Sequence, residues 1–151
     1  SAASDVYKRQ FKNRREMAKY YKLIRDVKKV LPISKEINRA IIETYEYLQT
    51  IPTEKGRQKH LKAVEKGLKE QYTPRMKKLS FSQGKLLIKL VDRQTHSTSY
   101  ELVKAFMGPF KAGFYQTFAA LFGASLKKQY DPTGDDALTE RVILMVESGQ
   151  L

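Results

Sequence analysis

The sequence predicts an all-α fold: a single-domain bundle of six or seven helices around one nearly all-apolar central helix. Three observations predict it. Apolar residues recur at three- and four-residue steps along most of the chain, strand-like alternation is absent, and no fixed-period repeat is present. The stretch Ser80 to Lys104 adds two helix-start signals flanking a helix too apolar to lie on a surface.

Taken in order, the elements justify that reading. From about Asn13 to Leu31, Met17, Tyr20, Ile24, Val27 and Leu31 share one stripe, and Pro32 is expected to kink or end the helix. A second helix, about Ser34 to Thr50, should bury Ile37, Ile41, Tyr45 and Leu48, with Ile51-Pro52 closing it. Thr53 suits the cap of a third, with Leu61, Val64, Leu68 and Tyr72 inward, and Thr73-Pro74 suits a further helix start. Two more helices are expected at Ser99 to Met107 and Pro109 to Phe122. The latter carries Phe110, Phe114, Phe118, Leu121 and Phe122 as an aromatic stripe, read as core rather than a ligand box. The last helix, about Asp135 to Ser148, presents Leu138, Val142, Met145 and Val146, and Gly149 stands where helices commonly stop.

The central helix is bracketed by capping boxes. Ser80 with Gln83, and Thr98 with Glu101, have the spacing at which a hydroxyl accepts an exposed amide while the longer side chain reaches back. Between them Leu86, Leu87, Ile88, Leu90 and Val91 point nearly all round the helix. Lys85, Lys89 and Asp92 form the one polar stripe, which reads as a solvent-facing seam, a satisfied ion pair or a polar pocket.

Charge is the second signal. The formal net charge is +13, with 21 Lys+Arg against 9 Asp+Glu in residues 1–79 and 8 against 7 in residues 80–151. The basic excess therefore belongs to the first helices. Arg15, Lys19, Lys22 and Lys29 share a flank of the first, with Arg14, Arg25 and Lys28 close by. On the third, Lys55, Lys59, Lys62, Lys66 and Lys69 recur at helical spacing. Such faces suit an anionic surface, an acidic protein or a phosphate polymer, or are simply solvated. No helix-turn-helix, zinc-finger or stacking-sheet signature accompanies them, so nucleic acid is not the favoured partner.

Catalytic and metal-binding patterns are sparse. There is no cysteine, which excludes disulfides and thiol chemistry. With His60 and His96 as the two histidines, a zinc site of ordinary ligands is not expected, nor is any other metal or cofactor. His60, among lysines, reads as solvated, and His96 as part of a turn after the central helix. Asp131 to Asp136 lacks the alternating oxygen ligands and closing Glu of an EF-hand, and reads as a turn leading into an acidic helix start. An enzyme hypothesis places Gln83, Asp92, Arg93, Tyr100 and Gln116 together in a polar corner; the competing account is that Asp92, Arg93 and Tyr100 knit that corner structurally. No apolar run reaches the roughly 20 residues needed to span a bilayer, the nearest, Phe106 to Phe122, being broken by Gly108-Pro109 and Lys111.

The motifs SQGKLLIKLVDRQT, TSYELVK and LKKQYDPTGDD, with the closing ESGQL, resemble the bacterial domain-of-unknown-function family 4294. The resemblance runs from about Phe11 to Leu151 and is densest over Ser80 to Tyr130. It implies an exported protein of the Bacteroidota, periplasmic or envelope-associated, and implies no activity. The chain departs from the family's usual DRETG, reading Asp92-Arg93-Gln94-Thr95-His96, and has Tyr115 where Trp is usual. The first ten residues, SAASDVYKRQ, read as the translated scar of a transposon-based sequencing adaptor in a metagenomic gene. They are set aside as a tag would be. Native sequence is then expected from Phe11, as one helical domain with a basic half (11–79) and a core-rich half (80–151). The expected function is a non-catalytic binding or scaffold module whose basic helices dock an anionic envelope component or acidic protein. The sequence leaves its oligomeric state open.

Overall fold

The computed structural model describes residues 13–97 (of 95–97 the backbone alone), 116, 120 and 129–151. These are mostly helical, with no strand among them. Four helices are described: α1 Arg14–Leu48, α2 Glu54–Lys77, α3 Phe81–Ser97 and α4 Ala137–Glu147. Two compact units divide the chain, Ser1–Pro32 with Tyr130–Leu151, and Ile33–Gln129.

Four helices are described against six or seven expected in the whole chain, and among the described residues two mergers correct the expectation. The helices expected on either side of Pro32 are one 35-residue helix with Pro32 inside it. Likewise α2 runs through Pro74 to Lys77 instead of a new helix starting there. Proline removes the amide that would bond the carbonyl four residues back. Here Pro32 and Lys28 are both exposed, as are Pro74 and Glu70, so the deprived carbonyls belong to exposed faces, where solvent rather than apolar packing is the neighbour and a missing bond costs least. The buried stripe meanwhile continues through Val30, Leu31, Ile33, Ile37 and Ile41 and holds α1 helical across its proline. The helices expected at Ser99 to Met107 and Pro109 to Phe122, with the Thr98–Glu101 box and the aromatic stripe, lie outside the described residues; Gln116 and Ala120 are helical.

The turn expected at His96 is also corrected: α3 stays helical to Ser97. Nothing in DRQTH breaks a helix, and His96 occupies the place where the resembled pattern has its glycine stop.

Local start and stop signals are otherwise as the residues dictate. At α1 the Glu16 amide donates to Asn13 Oδ1 (2.9 Å), and at α2 the Gly56 amide donates to Thr53 Oγ1 (3.1 Å). The Ser80 box closes both ways: Ser80 N–H to Gln83 Oε1 (3.1 Å) and Gln83 N–H to Ser80 Oγ (3.2 Å). α4 ends with Gly149 at φ 79°, its amide on Val146 O and that of Gln150 on Met145 O, the paired bonds of a Schellman stop.

In the first unit Tyr20, Ile24, Val27, Val30 and Leu31 are buried, as are Tyr130, Val142, Ile143 and Met145. In the second the apolar residues of α3, Leu86, Leu87, Ile88, Leu90 and Val91, are at most 7% exposed, as a helix apolar nearly all round requires. Ile37, Ile41, Leu48, Leu68, Tyr72 and Met76 are buried in the same unit. Met17, Tyr45, Leu61, Val64, Leu138 and Val146, expected inward, are half-buried.

Candidate functional site

All twelve basic residues singled out from the sequence are exposed: Arg14, Arg15, Lys19, Lys22, Arg25, Lys28 and Lys29 on α1, and Lys55, Lys59, Lys62, Lys66 and Lys69 on α2. They fall into two sets, one in each unit. Lys22 differs from the rest because its Nζ lies 2.9 Å from the Asp26 carboxylate, which is 7% exposed. For the other eleven, no carboxylate lies within ion-pair distance among the described residues. On α2 the steps alternate between four and three residues, so the five lysines form one narrow row about 21 Å long. The acidic residues of α2 are engaged elsewhere or stand beside the row; Glu54, for example, accepts from Arg57 and Gln58 near the helix start.

At the C-terminal end of this row lies an open depression of about 510 Å³, lined by Lys66, Lys69, Glu70, Thr73 and Pro74. Its walls are mostly carbon. Thr73 Oγ1 is buried and has no hydrogen-bond partner among the described residues, whereas Thr44 on α1 donates to its Ala40 carbonyl at 2.7 Å.

On the other side of α2, Glu36 of α1 meets Tyr72 and Arg75. Arg75 Nη1 donates to Glu36 Oε2 at 2.6 Å, the Tyr72 hydroxyl donates to the same oxygen at 3.2 Å, and the guanidinium lies 5.3 Å from the Tyr72 ring centroid. The Arg75 bond holds the Glu36 carboxyl below its usual range and raises Arg75 in turn. Burial, with the Glu36 charge beside it, pushes the Tyr72 hydroxyl up. This clip was not legible in the sequence, since its partners are 36 and 39 residues apart and no local pattern pairs them.

The polar corner is only partly assembled by the described residues. Asp92 is 1% exposed and Arg93 half-buried, and both engage partners within the chain. Along their stripe Lys85 is exposed and Lys89 half-buried, so it runs from solvent to a buried carboxylate. Gln83 stands nine residues before Asp92, about 13.5 Å along the helix, with its oxygen on the Ser80 amide. Gln116 is helical and exposed, and Tyr100 lies outside the described residues. His60, expected solvated, is half-buried, its ring 4.6 Å from that of Tyr47. The side chain of His96 lies outside the described residues. The Asp131 loop is a turn: the Asp131 amide donates to Asp136 Oδ2 (2.8 Å) and the Asp136 amide to Asp131 O (2.9 Å). Among the described residues no group of three or more His, Asp or Glu could hold a metal ion, and no helix is long and apolar enough to cross a membrane.

No curated protein and no solved structure matches the chain. The model of the family described as domain of unknown function (DUF4294) matches residues 2–145, reaching into the ten leading residues set aside above. The chain belongs to that family.

Proposed function

We propose that this family member is a non-catalytic binding or scaffold module of the cell envelope, exported from the cytoplasm, which docks an anionic surface or acidic partner through α1 and α2. The observation that carries the reading is the exposure of twelve basic side chains on two helices, eleven of them with no carboxylate within ion-pair distance among the described residues. Desolvating a lysine that already has an ion-pair partner breaks that pair; among the described residues that cost falls on Lys22 alone of the twelve.

The test is salt-dependent binding to anionic vesicles, envelope extract, RNA and duplex DNA between about 50 and 200 mM salt, where contact with several anionic groups loses orders of magnitude in affinity. The variant Arg15→Gln/Lys19→Gln/Lys29→Gln leaves the Lys22–Asp26 pair intact and should weaken docking without unfolding the protein. Unchanged binding by that variant removes α1 from the reading, and preferential capture of nucleic acid replaces the envelope partner with a nucleic acid. The burial of Asp92 supports a second reading, an enzyme of unknown reaction working at the Asp92–Arg93 corner. A small molecule that raises the melting temperature of the protein but not of a folded Asp92→Asn variant would favour it.

A further inference from the structure

We propose that the lysine row of α2 and the depression at its end bind an acidic polysaccharide, a polymer with one carboxylate per sugar and free hydroxyls. The proposal rests on the reading that the basic helices meet an anionic partner, and it names that partner for α2.

The row comes first. Lys55, Lys59, Lys62, Lys66 and Lys69 are exposed, and none has a carboxylate within ion-pair distance among the described residues. Their spacing repeats a positive charge about once per helical turn, about 5.4 Å, along a straight line. That suits a linear polymer whose charge recurs once per ring. The row contains no arginine, the residue whose fork matches phosphate bidentately. Nor does it contain an aromatic on which a base would stack.

The depression then separates a glycan from a bare polyanion. Lys66 and Lys69 provide charge on its rim, while the lysine stems and the Pro74 ring provide a carbon wall suited to the C–H face of a sugar. At about 510 Å³ it is an open surface depression, which suits a polymer lying across it rather than an enclosed small molecule. Glu70, also in the lining, repels a carboxylate as it does a phosphate, but unlike the lysines it accepts a hydrogen bond from a sugar hydroxyl. Thr73 Oγ1, buried with no partner among the described residues, is a polar group still lacking a bond.

The experiment titrates the full chain with sodium polygalacturonate at about 50 and 200 mM salt. Neutral dextran, duplex DNA and phosphatidylglycerol vesicles serve as parallel probes, and circular dichroism verifies each variant's fold. Polygalacturonate should bind in a salt-sensitive manner and dextran should not. Lys66→Gln/Lys69→Gln should lower the affinity about tenfold, near the upper end for two exposed ion pairs. Glu70→Ala should lower it about threefold although it removes a negative charge, whereas a simple polyanion would bind that variant more tightly. Tighter polygalacturonate binding by Glu70→Ala overturns the proposal, as does binding of DNA or vesicles without polygalacturonate; both leave the broader anionic reading standing. Failure of every anionic probe overturns both.

Discussion

α2 and α3 follow one another in the chain and belong to the same compact unit, yet they are opposite kinds of helix. In α2, 24 residues bury Leu68, Tyr72 and Met76, and most of the remainder is exposed, nine of those positions being charged. In α3, 17 residues bury Leu86 to Ile88 and Leu90 to Asp92, leaving Phe81, Ser82 and Lys85 as its exposed positions among those described. The contrast separates two jobs. The residues of α3 are dictated by packing, where a methylene is felt; those of α2 are dictated by solvation, where several side chains can change while the helix stands.

The largest effect should come from removing volume in α3. Leu87 is fully buried, so Leu87→Ala should destabilise the protein by about 2–5 kcal/mol in urea unfolding. A cost below about 1 kcal/mol would break the comparison by showing that α3 is not tightly packed.

Next in size is Pro32→Ala in α1. It restores an amide to the helix and removes a poor helix former, set against the stiffness proline gives the unfolded chain. A gain of about 2 kcal/mol is expected. A loss would show that Pro32 is held by something other than the continuing apolar stripe.

The entry to α3 should matter less than its middle. Ser80→Ala removes the oxygen that accepts the Gln83 amide, for a loss of about 1 kcal/mol. Restoring the cap with Asp should recover most of it.

The link between α1 and α2 gives the pH dependence. The Glu36 carboxyl is lowered in the folded state by its Arg75 bond. Its contribution is therefore present at neutral pH and lost as pH falls below the ordinary carboxylate range. Tyr72 is raised, so its contribution is complete at neutral pH and lost as pH rises above the ordinary tyrosine range. Glu36 and Arg75 are both substantially exposed, so the acid-side loss should be below about 1 kcal/mol and should vanish in Glu36→Gln.

These elements also mark how far the sequence could be read. The Ser80 box, the Thr53 cap, the Gly149 stop and the buried apolar run of α3 were legible because each is written in residues within a turn or two of one another. The exposure of the basic positions was legible for the same reason, since helical spacing assigns them to faces. Pro32 and Pro74 misled because their effect depends on which face they occupy: on a wet face the missing bond is cheap, and the chain alone does not report the face. Glu36–Arg75 depends on a tertiary neighbour, which no local pattern encodes, whereas the depression is lined by one face of α2 alone. The helical reach of α3 through DRQTH was readable in principle, because that stretch has neither glycine nor proline.

The smallest effect tests α2 itself. Lys62 and Lys66 are exposed, four residues apart and without a carboxylate within ion-pair distance among the described residues. Like charges at that spacing repel by a few tenths of a kcal/mol, and salt screens them. Lys62→Gln/Lys66→Gln should therefore shift stability by less than about 0.5 kcal/mol, toward greater stability, with the gain fading as salt rises. The sign carries the argument. A surface selected for packing loses stability when its side chains are changed, whereas a surface that holds repelling charges together without need gains it. If the double variant is instead destabilised by more than about 1 kcal/mol, these lysines support the fold, and α2 resembles α3 more than its composition says.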